Sequence, residues 1–202
     1  MDTACELTSL SGTAATASSR QKLDKTLLAS IAAGDQLAMQ VLFQRHNVRV
    51  YRFVLRLSGN ASLAEEIVSE VFLEVWRHAG SFEAKSQVTT WLLGIAHHKS
   101  ISALRRRSDI HLDDNMAAAI ADPREDAETV LDREDRSKII RRCLTQLSPL
   151  HREIVDLVYY HEKSVDEVAG IVGAPKSTVK TRMFYARSHM AKLLKAAGVD
   201  AT

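Results

Sequence analysis

Residues 164–194, SVDEVAGIVGAPKSTVKTRMFYARSHMAKLL, decide how the chain is read. Ser164 and Glu167 have the spacing of a capping box, which satisfies the free amides at a helix start and opens the short helix VDEVAGIVG. Gly173 ends that helix, and Pro175 lies near the start of the next, where its fixed φ suits a first turn. In the second helix Val179, Met183, Ala186 and Met190 recur at the period of one inward face. Lys176, Ser177, Thr178, Lys180, Thr181, Arg182 and Tyr185 are left on the outside, with Arg187 as a further basic group. A short helix, a glycine turn and a basic second helix make a helix-turn-helix. A major groove admits such a helix, with Ser and Thr meeting base edges or phosphates and Lys and Arg holding the backbone or reading guanine.

Upstream of this motif, Ser148 followed by Pro149 marks another helix start, and LHREIVDLVYYHE offers Leu150, Ile154, Val155, Leu157 and Val158 to a core. SKIIRRCLTQL completes a small C-terminal module over 136–197. The N-terminal half is helical too. Leu27, Leu28 and Ile31 precede Gly34, and Leu37, Val41, Val50, Phe53, Val54 and Leu57 follow at helical intervals beside an arginine stripe of Arg45, Arg49, Arg52 and Arg56. After the turn at Gly59–Asn60, Ser62 and Glu65 offer a capping box before IVSEVFLEVWRHA. That helix puts Ile67, Val68, Val71, Phe72, Val75 and Trp76 on a broad apolar face, with Glu66, Glu70 and Glu74 one turn apart on another. Like charges at that spacing repel mildly, so the acidic row is either an ordinary solvated face or a docking surface for a basic partner. A polar loop from Phe82 then gives way near Thr90 to a helix carrying Trp91, Leu92, Ile95, Ile101 and Leu104, with His97, His98, Lys99, Arg105, Arg106 and Arg107 as its basic groups. Trp91 is either a core anchor or a platform for an unpaired base.

Charge divides the chain. Residues 20–107 carry 13 Lys/Arg against 7 Asp/Glu, residues 108–135 carry 2 against 10, and residues 136–202 carry 12 against 6, a pattern that the overall +2 hides. Two basic modules fit a polyanionic partner. The acidic 108–135 segment is a linker, either merely solubilising or able to occupy a basic nucleic-acid channel in a partner. The expected architecture is therefore all-α, with a flexible, Ser/Thr/Ala-biased tail at 1–22, a helical module at 23–107, the acidic linker, and the helix-turn-helix module at 136–197. Cys5 and Cys143 lie far apart without metal-ligand spacing, as expected of a reduced cytosolic chain. No apolar run reaches the roughly 18–20 residues needed to cross a bilayer. Neither an activated nucleophile nor a metal or cofactor signature is present, so no catalytic residue, metal, cofactor or small-molecule ligand is expected.

In order and spacing, AEEIVSEVFLEVWR, Phe82, TTWLLGIAHHKSISALRRR, LSPLHREIVDLVYY and SVDEVAGIVGAPKSTVKTRMFYAR resemble the extracytoplasmic-function, or group IV, sigma factors of bacterial RNA polymerase. The resemblance implies that Glu65, Glu66, Glu70 and Glu74 dock on the clamp helices of core polymerase. It implies that the loop carrying Phe82, Lys85, Ser86, Gln87 and Thr90, leading into Trp91, captures an unstacked base of the minus-10 element. The following helix, through His97, His98, Lys99, Arg105 and Arg106, lies at the upstream fork, and the segment after Pro175 reads the minus-35 element. His97 and His98 stand where the family commonly has Arg-Asn, and Ser177 where it commonly has glycine. Core RNA polymerase, promoter DNA and an anti-sigma factor are the implied partners, and the cytoplasm, or the membrane face through that anti-sigma partner, the implied location. A stand-alone helix-turn-helix regulator and a non-initiating adaptor are the alternatives; the first leaves the acidic and Trp-bearing helices without a task.

Overall fold

The computed structural model describes residues 6–110 and 131–198, with side chains described over 19–107 and 138–198. The chain is all-α over these residues. Its N-terminal helices are α1 (Glu6–Ala32), α2 (Gln36–Ser58), α3 (Ala61–His78) and α4 (Val88–Ile110), and its C-terminal ones α5 (Leu131–Thr145), α6 (Pro149–Val155), α7 (Val165–Val172) and α8 (Lys176–Ala196). Helix α1 begins at Glu6, so helix rather than tail leads into Leu23. The 111–130 part of the expected linker, and Cys5, lie outside the described residues.

Local chemistry sets the helix ends. Asp35 caps α2 by accepting from the amides of Leu37 and Ala38 at 2.8 and 3.1 Å, and Gly59 closes it in the left-handed region at φ 67°. That closure leaves Asn60 extended, and its side chain accepts the Leu63 amide at 2.8 Å. Asn60 is thus the cap of α3, and the expected Ser62–Glu65 box does not form because Ser62 already lies within the helix. Ser148 and Pro149 open α6 as expected, and both halves of the Ser164–Glu167 box are made at α7. Gly173, at φ 64°, supplies the turn into α8.

Leu28, Ile31, Leu42, Val50, Phe53, Val54, Ile67, Val71, Val75, Leu92 and Leu93 form the core of α1–α4. Ile154, Leu157, Val168, Ile171, Val179 and Met183 of the second module extend this same apolar cluster. The two modules therefore share a continuous core rather than keeping two separate ones. Each fully buried aliphatic side chain contributes about 1.5–3 kcal/mol. Leu144, Leu147, Val155 and Ala186 form a smaller cluster beneath α8. Several expected core residues lie outside: Leu37 is 73 % exposed, Leu150 53 %, and Val41 and Trp76 are also exposed. They sit at the rims of their helix faces, where the apolar pattern is wider than the contact it has to fill. Between α6 and α7 the backbone widens into a π turn over Asp156–Tyr160, which brings Asp156 and His161 together at 3.2 Å.

Candidate nucleic-acid interface

Helix α8 presents its outer residues much as its periodicity requires. Val179, Met183 and Ala186 are buried, whereas Lys176, Ser177, Lys180, Thr181, Tyr185 and Arg187 are exposed and Thr178 and Arg182 half-buried. Lys176 pairs with Asp166 of α7 at 2.8 Å, and Arg187 donates to the Tyr159 hydroxyl at 2.9 Å. The remaining outer groups form an open face of hydroxyls and cations.

On α3, Glu65 and Glu66 are exposed, while Glu70 and Glu74 are half-buried. Lys99 of α4 reaches Glu70 at 3.3 Å and Glu74 at 3.7 Å, and His78 lies 3.0 Å from Glu74. The acidic row is thus graded: its first turn is open, and its second turn is already neutralised from within the module. The arginine stripe of α2 is split in the same way. Arg45 is bound to Asp24 at 2.9 Å and Arg56 to Asp156, leaving Arg49 and Arg52 exposed. Burial pushes the Asp24 carboxyl up, but its hydrogen bonds and charge attraction to His46 and Arg45 outweigh that, so it is held below its ordinary range.

The loop from Phe82 to Gln87 carries Ala84 in the left-handed region at φ 55°, a disfavoured conformation for a residue with a Cβ. Phe82 packs on Trp91 with ring centroids 5.3 Å apart, so Trp91 is a half-buried anchor with one open edge. Lys85, Gln87 and His98 are exposed, Ser86 and Lys99 half-buried, and Arg105 and Arg106 exposed farther along α4. Lys85, Ser86, Thr90, Trp91, His98 and Lys99 line a cleft of about 720 Å³, whose opposite wall is Asp166, Glu167, Gly170 and Ile171 of α7.

Two residues of this set are covered rather than open. Thr90, 8 % exposed, donates to Glu167 at 2.5 Å. His97, also 8 % exposed, meets Glu153 of α6 at 2.8 Å. Lys163, which the sequence pattern does not single out, is buried between the modules and donates to Thr89 at 2.8 Å and Gln87 at 3.1 Å, with Glu167 3.5 Å away. Burial pushes its ammonium pKa down, against the pull of Glu167. The Glu167 carboxyl is pushed up by burial but brought below its ordinary range by the Thr90 and Ser164 hydrogen bonds and by Lys163. Glu153, Asp156 and His161 are likewise absent from the sequence-based set, although two carboxylates falling among the apolar positions of HREIVDLV are a legible sign of buried partners. Among the described residues no group of three or more His, Cys, Asp or Glu could hold a metal ion, and no helix is long and apolar enough to cross a membrane.

Residues 42–110 match the model of Sigma-70 region 2, and residues 137–190 that of Sigma-70 region 4. The ECF RNA polymerase sigma factor SigK of Mycobacterium tuberculosis is 32 % identical over 161 residues, covering 78 % of this chain and 86 % of that protein. The chain belongs to the ECF sigma factors. A SigK from Mycobacterium sp. matches this sigma factor at the same identity, with 83 % of its length covered. Among solved structures, CnrH in complex with the cytosolic domain of CnrY shares the fold, with a TM-score of 0.62 at 21 % identity over 86 % of this chain and 98 % of that one. The sigma factor RpoE in complex with the anti-sigma factor NepR from Bartonella quintana also gives 0.62, at 25 % identity over 77 % and 96 %.

Proposed function

We propose that this ECF sigma factor joins core RNA polymerase through the open acidic turn of α3, places α8 in the minus-35 major groove, and captures unstacked minus-10 bases with the 82–90 loop and α4. The observation that carries this reading is the presence, in one chain and in this order, of a region 2 module with a graded acidic face and a region 4 module with an exposed basic helix. The sigma factor would supply promoter choice and strand opening, and polymerase the phosphodiester chemistry. Region 4 anchors duplex while region 2 trades base stacking for protein contacts, at a cost of a few kcal/mol per extruded base.

Glu65 and Glu66 form the first contact with a basic polymerase surface, and Glu70 and Glu74 join once Lys99 is drawn away. Thr181, Arg182 and Tyr185 face the groove centre, with Lys176, Ser177, Thr178, Lys180 and Arg187 set for phosphates at its edges. Phe82, Lys85, Ser86, Gln87, Thr90 and Trp91 make the minus-10 pocket, and His97, His98, Lys99, Arg105 and Arg106 its upstream flank. An anti-sigma protein is the expected regulator, since the two structural relatives are each solved in complex with a second protein, one of them a named anti-sigma factor. Run-off transcription over a promoter library, with purified core polymerase with and without this protein, tests the reading. Sequence-specific transcripts that depend on it are the expected result. Duplex binding without any effect on a competent core would instead make it a stand-alone regulator.

A further inference from the structure

The turn ahead of α7 buries a cation that capping the helix does not require. Lys163 is 4 % exposed, and burying an ammonium is costly unless a counter-charge meets it. Its close partners are neutral, Thr89 Oγ1 at 2.8 Å and Gln87 Oε1 at 3.1 Å. The nearest carboxylate, Glu167, stands at 3.5 Å and is engaged by Thr90 and Ser164. Glu162, exposed between the buried His161 and Lys163, has a left-handed backbone at φ 54°, a disfavoured conformation that leaves both of its neighbours inside.

His161 and Lys163 line a cavity of about 610 Å³ shared with α1, α2 and the start of α4, a volume in the range that holds small ligands. Its cations are Arg20, Arg45, Arg49 and Lys163, and its carboxylates Asp24 and Glu162. Asp24 is already taken by Arg45 at 2.9 Å and His46 at 3.0 Å. Arg49 is exposed and has no carboxylate partner among the described residues. Burial is the main cause of the lowered Lys163 pKa, and the nearby charge of Arg49 adds to it, so two cations face one space from different walls. His161 brings a buried ring nitrogen, Nδ1, that has no hydrogen-bond partner. The first turn of α4 opens onto the same space through Val88 and Thr89, adding the positive end of a 23-residue helix. No Phe, Tyr or Trp lines the cavity, so it offers charge and hydrogen bonds but no platform for a base.

We propose that this cavity is a binding site for a compact polyanion of the di- or triphosphate class, held between Arg49 of α2 and Lys163 of the turn before α7. The ligand supplies the counter-charge that Lys163 lacks. Paired phosphates suit the space better than one, because the cations stand on separate walls and the volume exceeds what a single phosphate fills. Where the phosphates belong to a nucleotide, its base lies outside. This site is independent of the promoter contacts assigned to α8.

Isothermal titration calorimetry of the full chain with sodium pyrophosphate, at constant ionic strength, tests the site, and the melting temperature gives a second readout. Wild type is expected to bind pyrophosphate and to melt at a higher temperature in its presence. Arg49→Ala and Lys163→Met are each expected to weaken binding about tenfold, as loss of a charge-assisted hydrogen bond does. Arg52→Ala removes another exposed cation of α2, one outside the cavity, and should leave the affinity unchanged. If Lys163→Met loses its helical circular dichroism, Arg20→Ala/Arg49→Ala takes its place. Absence of pyrophosphate binding by wild type overturns the proposal. So does equal weakening by Arg52→Ala, the mark of diffuse attraction to a basic surface, and so do folded Arg49 and Lys163 variants that bind like wild type. Adenosine diphosphate identifies the source of the phosphates. If it binds with the same dependence on Arg49 and Lys163, the site takes the phosphate end of a nucleotide; if only pyrophosphate binds, it takes a free polyphosphate.

Discussion

The hydroxyl of Thr90, on the first turn of α4, donates to Glu167 of α7 at 2.5 Å across a separation of 77 residues. The other oxygen of that carboxylate accepts from the Ser164 amide at 3.0 Å and its hydroxyl at 2.9 Å, so one side chain both caps the first helix of the helix-turn-helix and ties it to region 2. Removing each partner separates these roles. Thr90→Val is expected to lower unfolding stability by about 0.5–1.5 kcal/mol, and Glu167→Ala by about 1–3 kcal/mol because the cap is lost as well. Urea denaturation of the single and double variants measures both. Purely additive effects would show that the two residues are not coupled.

Asp24, 5 % exposed, is expected to govern acid stability of region 2 through His46 and Arg45. Its folded pKa lies below the ordinary 3.8, so the stability it contributes is fully present above that value and is lost as pH falls through the lower, folded pKa. Wild type should therefore lose more stability than Asp24→Asn on acidification below about pH 4, while Asp24→Asn starts about 1–3 kcal/mol weaker at neutral pH. Thermal melts from neutral to strongly acidic pH, with identical losses in both proteins, would remove Asp24 from this role.

Lys163 gives the same sign of pH dependence, but on the alkaline side. Burial lowers its folded pKa below 10.5, so between the folded pKa and 10.5 the unfolded chain binds the additional proton and stability rises with pH through that window. The difference in stability between wild type and Lys163→Met should therefore grow in favour of wild type as pH climbs toward 10.5. Paired denaturation curves at mildly and strongly alkaline pH check this. A pH-independent difference would mean that the ammonium is not desolvated.

Exposed Lys180 on α8 is expected to meet a phosphate in the promoter complex. Lys180→Ala should weaken holoenzyme binding similarly on different promoters and reduce the slope of log affinity against log salt by about one. Salt titrations on two promoter sequences distinguish this from a base contact, whose loss would relax the preference at one position and leave the slope in place.

Reversing the open turn of α3 should act on polymerase rather than on DNA. Glu65→Lys/Glu66→Lys is expected to weaken association with core polymerase about tenfold or more, chiefly at low salt, because like charge then faces like charge. Competition against a reference sigma factor reports it. Unchanged competition would place the docking face elsewhere.

What the sequence determined by itself is local. The Ser164–Glu167 box, the Ser148–Pro149 start, the Gly173 turn and the inward Val179–Met183–Ala186 face each depend on residues within one or two helical turns, and all are present in the fold. Where two local signals competed, at Asn60 and Ser62, the left-handed closure at Gly59 settled the cap two residues earlier than the sequence pattern implied. Only the tertiary structure decided which apolar faces are covered, leaving Leu37 and Leu150 in solvent, and which partners the buried charges meet. His97 finds Glu153, Arg56 finds Asp156 and Lys163 finds Gln87 and Thr89 from one module to the other, and nothing in the spacing of a helix encodes such pairs. Helical periodicity states which side of a helix is apolar. Which other helix lies against that side depends on packing all of them at once, and here that packing sets α4 of one module against the acids of the other.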